Sequence, residues 1–316
     1  MTVELTVCVP SRSEIFLART IQDILEHSSE KTEVIAVLDG EWADPGVVDH
    51  ERVILVKLGQ SVGQRAATNI AAKMARGKYV MKTDAHCAFS PGFDEILLAD
   101  MQPDWALVPV MRNLWVFDWV CPNGHRRYQG PSGVCTQCGE QTTRDIVWVA
   151  KNNPQSTSYC FDSTPHFLYF KEYTKRPEYK AAGDLTETMS LQGSCWMVSK
   201  ENYFRLDLGD ESYGIWGSQG VQVACSVWLS GGKVMVSHKC FYSHMFRTQG
   251  FDFSFPYELS GKQVEYAKAK ARDALYNNKF PHQIYPSSWL IEKFAPVPGW
   301  SQDDLHKIQE TGKAFI

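Results

Sequence analysis

Lys78–Tyr79–Val80–Met81–Lys82–Thr83, running straight into Asp84–Ala85–His86, is the stretch on which the reading of this chain turns. The first six residues read as a buried strand. The last three set a carboxylate and an imidazole two residues apart at its C-terminal end. Sheets of α/β type bind ligands outside the open ends of their parallel strands. An oxygen ligand beside an imidazole suits Mn²⁺ and other first-row cations better than Ca²⁺. Such a cation beside a nucleotide-binding sheet holds a diphosphate. The plainer alternative is a strand ending in a solvated turn, and Asp-x-His alone does not separate the two.

Working outward, strands and helices alternate on both sides of this stretch. Residues 4–10 form a β-branched run that ends at Pro10–Ser11–Arg12, and a helix follows over roughly 14–27. Residues 33–38 are a second buried strand ending at Asp39–Gly40, and 52–56 a third. Gly63 opens an Ala-rich helix over about 64–74, and Gly77 ends it. A helix over about 91–101 and a strand over 105–110 complete the run. That alternation predicts a parallel, doubly wound sheet. From about 112 to 190 it breaks down. It resumes with a strand over 192–198, a Gly-punctuated loop at Tyr213–Gln219, a helix over 220–229 and a strand over 233–237. There is no internal repeat.

Composition narrows the function classes. The 316 residues are 44% hydrophobic and 22% charged, ordinary for a globular protein that can bury a large core. A net charge of −4 gives no global basic field for nucleic acid, although a local patch remains open. No apolar run approaches the ~20 residues needed to span a bilayer, and the first residues enter a strand without a basic leader. The expectation is a cytoplasmic protein without membrane contact. Nine cysteines then argue for thiols and metal ligands over disulfides.

Three of those cysteines cluster with a histidine. Cys121-x-x-x-His125 is followed ten residues on by Cys135-x-x-Cys138, with Pro122, Gly124, Gly133 and Gly139 supplying tight turns. The spacing reads as a Cys₃His zinc site, closed by four protein ligands and therefore structural. The other six cysteines sit in apolar contexts and read as buried thiols.

Taken in order, the motifs resemble those of metal-dependent glycosyltransferases of the GT-A fold, and most closely the polypeptide N-acetylgalactosaminyltransferases. Asp84–Ala85–His86–Cys87 is similar to that family's Asp-x-His, and Gly193–Ser194 in part to its Gly-Gly turn. Trp216–Gly217–Ser218–Gln219–Gly220 resembles its Trp-Gly-Gly-Glu-Asn, and Trp228–Leu229–Ser230–Gly231–Gly232 its Trp-x-x-Gly-Gly. Ser243–His244–Met245–Phe246–Arg247 resembles its Gly-His-Val-Phe-Arg, and Leu17–Ala18–Arg19–Thr20–Ile21 its Leu-Leu-Arg-Thr-Val. The resemblance covers about residues 5–110 and 190–250.

It implies an α/β GT-A fold, the nucleotide-diphospho-sugar transferase type, with a mixed sheet; the Cys–His spacing adds an inserted zinc-ribbon lobe, and the aromatic-rich end of the chain a helical, aromatic C-terminal tail. It implies His244 as third ligand, with Asp84 and His86, of a Mn²⁺-type cation. The UDP-sugar donor is expected on Pro10, Ser11, Arg12, Asp39, Gly63, Arg65 and the metal residues Asp84 and His86. Trp216 is expected to wall the pocket and Gln219, replacing the family's Glu, to touch the donor sugar. The expected segments are 1–110 (nucleotide-sugar half), 111–190 (acceptor-side lobe, zinc ribbon at 121–138), 191–250 (catalytic half) and 251–316 (C-terminal extension). The expected activity is a metal-dependent, retaining transfer of a hexose or N-acetylhexosamine to a hydroxyl.

The acceptor stays open between 5-hydroxymethylpyrimidine in DNA, protein Ser/Thr and a cell-surface glycan. DNA would suit a phage-encoded enzyme in a host cytoplasm. Arg126, Arg127, Arg144, Lys262, Lys268, Lys270 and Arg272 would then meet phosphates, although interleaved acids make a solvated face the alternative. Of another class is a non-catalytic zinc-ribbon module on a transferase scaffold. A nucleotidyltransferase is disfavoured because Pro10–Ser11–Arg12–Ser13 lacks a phosphate-loop glycine.

Overall fold

The computed structural model describes residues 2–247, 257 and 261–315. The expected boundary at 250/251 lies outside the described residues. In chain order come β1 (Leu5–Ser11), α1 (Leu17–His27), β2 (Thr32–Leu38), β3 (Val53–Lys57), α2 (Gln64–Met74), β4 (Tyr79–Thr83), β5 (Cys87–Phe89) and α3 (Phe93–Asp100). Next are β6 (Trp105–Val120), β7 (Arg126–Tyr128), β8 (Thr143–Ser156), β9 (Tyr159–Phe161), β10 (Phe167–Tyr169), α4 (Pro177–Ala181) and β11 (Leu185–Glu187). The last are β12 (Cys195–Ser199), α5 (Lys200–Arg205), α6 (Gln219–Leu229), β13 (Lys233–His244), α7 (Gly261–Tyr276), α8 (Ser287–Lys293) and α9 (Gln302–Lys313).

The main sheet has the order β11-β13-β6-β12-β4-β1-β2-β3. β4, β1, β2 and β3 are parallel to one another, and β13 is parallel to β6. β12 is antiparallel to both β4 and β6. The sheet is therefore mixed and not the fully parallel one that strand–helix alternation alone predicts. β1 and β2 are buried along their whole length, as strands covered on both faces must be. Ala67, Ala71 and Ala72 of α2 are fully buried, and their small side chains let that helix lie close on the sheet. Every residue of α6 is buried, which requires cover on all sides. The C-terminal extension supplies that cover: Tyr276, Phe280, Leu290 and Phe294 join the same core cluster as Trp228 and Leu229.

The breakdown in alternation after residue 110 has a structural cause. β6 does not stop there; it runs 16 residues and crosses the expected 110/111 boundary. Its first part pairs with β13, and its remainder pairs antiparallel with β8 and β7 in a ribbon carrying three register shifts. Phe117, Trp119, Leu114, Val116 and Trp148 anchor the ribbon's base against Phe16 and Met245. The Cys–His cluster sits at its tip, between β6 and β8.

Candidate active site

The sheet delivers three side chains to one point. β4 ends at Thr83, so Asp84 sits at the mouth of the parallel strands, where its N–H donates to Ser194 O at 2.9 Å. His86 follows in the turn before β5. β13 would end its pairing near Ser237, but it resumes register at Phe241 and carries His244 alongside Cys87. His244 Nε2 lies 3.2 Å from Asp84 Oδ2 and 3.1 Å from His86 Nε2. His86 Nε2 and Asp84 Oδ2 stand 4.0 Å apart. A cation with bonds of about 2.1 Å places octahedral ligand atoms about 3.0 Å apart when adjacent and about 4.2 Å apart when opposite. The three atoms fit that shape and leave further vertices for other ligands.

Protonation states agree with metal ligation. Burial drives His244 down to about 4, so it presents a neutral ring. Burial opposes the Asp84 carboxylate, but the Lys82 ammonium and His244 outweigh it and hold the group well below the usual carboxylate range. His86 Nδ1 lies 2.8 Å from Glu14 Oε2. A ring N–H donated there leaves Nε2 free as the ligand atom, the usual arrangement of a metal-binding histidine. Glu14 is itself buried, accepts from Phe16 N at 3.0 Å and pairs with Arg247. Burial opposes its charge, but His86 and Arg247 prevail and lower its pKa.

These residues floor a cleft of about 450 Å³. Pro10, Ser11 and Arg12 line one side, with Arg12 held to Asp39 O at 2.8 Å. Trp216 and Gln219 line another. Gln219 is buried and, among the described residues, its Nε2 has no hydrogen-bond partner, an unmet donor at the cleft wall. Its position depends on Gly220, where an added Cβ would meet Leu191 O at 2.1 Å. Tyr257, Val264 and Lys268 bring the C-terminal extension to the same cleft.

Three residues expected at the donor do not line the cleft. Asp39 is fully buried, and its carboxylate accepts from Val62 N at 2.6 Å, Gly63 N at 3.0 Å, Ser61 Oγ at 2.9 Å and Tyr257 Oη at 3.0 Å. It pins the 61–63 turn. Gly63 has a φ of +97°, and a Cβ there would strike Ile215 at 2.9 Å. Arg65 is buried, bonding Gly217 O at 2.8 Å and Gln222 Oε1 at 3.0 Å. It shapes the Trp216 loop from behind. Conversely, Glu14, Lys82 and Arg247 belong to the site and were not singled out from sequence.

The second constellation is local. Cys121 Sγ and Cys135 Sγ each lie 3.5 Å from His125 Nδ1, and Cys138 Sγ lies 3.7 Å from Cys121 Sγ. Tetrahedral zinc, with bonds of about 2.3 Å to sulfur and about 2.05 Å to nitrogen, requires separations of about 3.8 and 3.6 Å. Backbone N–H groups led by that of Glu140 draw Cys138 down to about 6, toward the thiolate. The remaining six cysteines are buried free thiols.

A mixed α/β sheet with a two-histidine, one-carboxylate point at its strand ends, inside a cleft edged by basic side chains, is the architecture of a nucleotide-diphospho-sugar enzyme of GT-A type. The chain belongs to glycosyl transferase family 2, whose model matches residues 6–176, more than half of it. It is 23% identical over 306 residues to a protein named putative polypeptide N-acetylgalactosaminyltransferase 13 of Drosophila melanogaster, covering 92% of this chain and 48% of that protein. It is 24% identical over 263 residues to human polypeptide N-acetylgalactosaminyltransferase 3, covering 78% and 36%. The chain thus spans about half the length, or less, of these curated relatives. In fold it is similar to a crystal structure described as GalNAc-T7 with UDP, GalNAc and Mn²⁺. The TM-score is 0.58 at 16% identity, over 99% of this chain and 55% of that one. Among the described residues, no helix is long and apolar enough to cross a membrane.

Proposed function

We propose that this protein transfers a sugar from a UDP-sugar to a hydroxyl of a polypeptide acceptor, with retention of anomeric configuration. The observation that carries the reading is the meeting of Asp84, His86 and His244 at the strand ends, in a cleft edged by Arg12. These three residues would hold a Mn²⁺-type cation, which when bound supplies charge neutralisation of the departing diphosphate. Glu14 fixes the ring of His86. Arg12 and Lys82 add positive charge along the diphosphate's path, Trp216 walls the sugar, and Gln219 Nε2 donates to one of its hydroxyls.

Retention is supported by which carboxylates face the cleft. Among the described residues that line it, only Asp84 and Glu14 carry one, and both are engaged. Asp210 caps the turn at Ser212 and lies near Lys270, and Glu211 accepts from Asn69. An inverting transfer needs a free base in the cleft. Proton NMR of the product made from an α-linked donor tests this: an α-linked product is expected, and a β-linked one would refute retention.

The polypeptide acceptor is favoured by the relatives' names; nothing in the comparisons favours DNA. At least five of the seven basic residues expected to meet phosphates have partners within the protein. Arg126 pairs with Asp118 and Asp145, Lys268 with Glu265, and Arg127 bonds Pro131 O. Arg144 lies over Phe117 and Trp119, and Arg272 over Tyr276. At the ribbon tip, Cys121, His125, Cys135 and Cys138 would hold a structural zinc ion, a reading supported by the tetrahedral separations. Incubation with UDP-sugars and a mixed peptide library, read by mass spectrometry, tests the transfer. Sugar added to peptide is expected; sugar added only to DNA or glycan would overturn this acceptor.

A further inference from the structure

Lys82 sets a positive charge directly on one of the residues that would hold the cation. It lies in β4, is 2% exposed, and opens onto the cleft floor. Its Nζ donates to Asp84 Oδ1 and to Gly193 O, the latter at 2.7 Å. Asp84 Oδ2 is the oxygen that faces His244 and His86. The carboxylate is thus divided, one oxygen on a resident ammonium and the other toward the imidazoles. Glu14, behind His86, is likewise matched by Arg247. Each carboxylate at the point where a cation would bind thus already has a resident cationic partner, Lys82 for Asp84 and Arg247 for Glu14. Charges in a dry site act strongly at short range, so an entering divalent ion competes for Asp84 with an ammonium already bonded to it.

We propose that Lys82 is a resident counter-cation of Asp84 that keeps divalent-metal affinity low until a nucleoside diphosphate arrives, so that metal and donor bind as a coupled pair. This rests on the donor-site reading above. A diphosphate brings at least two negative charges between the ion and Lys82, and both cations then gain a partner. By linkage the ion must strengthen diphosphate binding by the same factor. A lysine that only oriented Asp84 would act with the opposite sign, because its loss would weaken the metal site.

Mn²⁺ binding, measured by the EPR signal of the free ion with and without UDP, decides between these signs. In the wild-type chain UDP should raise Mn²⁺ affinity at least tenfold, within the range of about 5- to 150-fold usual for coupled sites. Lys82→Met should bind Mn²⁺ without UDP about tenfold tighter than wild type and gain less from UDP, whereas Lys82→Arg should keep the wild-type pattern. Equal or weaker Mn²⁺ binding by folded Lys82→Met overturns the proposal. Should that variant not fold, the wild-type titration decides alone: Mn²⁺ affinity that UDP changes by less than twofold overturns it. A wild-type chain that takes neither Mn²⁺ nor UDP overturns the donor-site reading itself, and the coupling with it.

Discussion

The two candidate metal centres are built on opposite plans. Asp84, His86 and His244 come from strand ends far apart in sequence, and their geometry is set by the register of β13 on β5 and β6. Cys121, His125, Cys135 and Cys138 lie within one short segment, and their geometry is set by local turns such as Gly124 N to Cys121 O and Gly139 N to Cys135 O. The first offers three ligand atoms with a cleft in front of them. The second offers four, enough to close a tetrahedral ion. An assembled open site depends on the whole fold and offers chemistry. A local closed site depends on its own turns and offers stability.

If that contrast holds, the largest loss should follow removal of a ligand from the open site. Asp84→Ala should lower transfer by about 10²–10³-fold, the scale for deleting one electrostatic contact to a reacting group, in a chain that still folds but melts lower because the buried Lys82 loses its anion. Activity within a few-fold of wild type, or unaffected by excess chelator, would break the assignment. Glu14→Gln comes next. It keeps the shape but leaves the buried Arg247 without its anion and loosens the His86 ring. Mn²⁺ affinity in the presence of UDP should fall about 10- to 100-fold, as for other groups that orient metal ligands. An unchanged affinity would mean that His86 needs no support from behind.

The same contrast explains what could be read from the chain beforehand. β1, β2, β4 and α2 were legible to within a residue or so, because buried parallel strands and an Ala-rich helix bounded by Gly63 announce themselves locally. The closed cluster was legible for the same reason. The ribbon was not. Bulges between Met111 and Phe117 shift the side-chain alternation of β6, and β8 carries Lys151, Asn152, Asn153 and Pro154, which read as loop. The helical spacing puts Glu14 in the first turn of a helix that begins at Leu17, and its partner His86 is 72 positions away. Lys82 did leave a signal: a charged residue inside an otherwise apolar strand, two positions before a carboxylate. Arg65 and Asp39 have residue types that suit a donor site, and the structure places both against the loops that shape it.

Gln219 offers a smaller test within the open site. Gln219→Ala removes one neutral donor to the sugar while leaving the metal residues untouched. A neutral hydrogen bond to substrate contributes about 0.5–1.5 kcal/mol, so kcat/KM should fall about 2- to 12-fold, with UDP affinity unchanged. An equal fall in UDP affinity would place Gln219 on the nucleotide instead of the sugar.

The smallest expected effect on transfer is also the sharpest test of independence between the two centres. Cys135→Ser should remove zinc, which elemental analysis should find at about one per chain in the wild type. Amide exchange should rise across 121–142, because that tip has almost no core of its own: Cys138, Glu140 and Val134 are exposed. The disturbance should stop at the ribbon's base. Phe117 is 1% exposed and Val116 fully buried, and they pack with Phe16 and Met245, the neighbours of the Glu14 and His244 segments. That cluster is held by buried area, which does not depend on the ion. UDP-sugar hydrolysis, which needs no acceptor, should therefore stay within about twofold of wild type. A tenfold loss would show that the ribbon's base is set by its tip, and that the zinc cluster acts through Trp119 and Phe117 on the placement of His244.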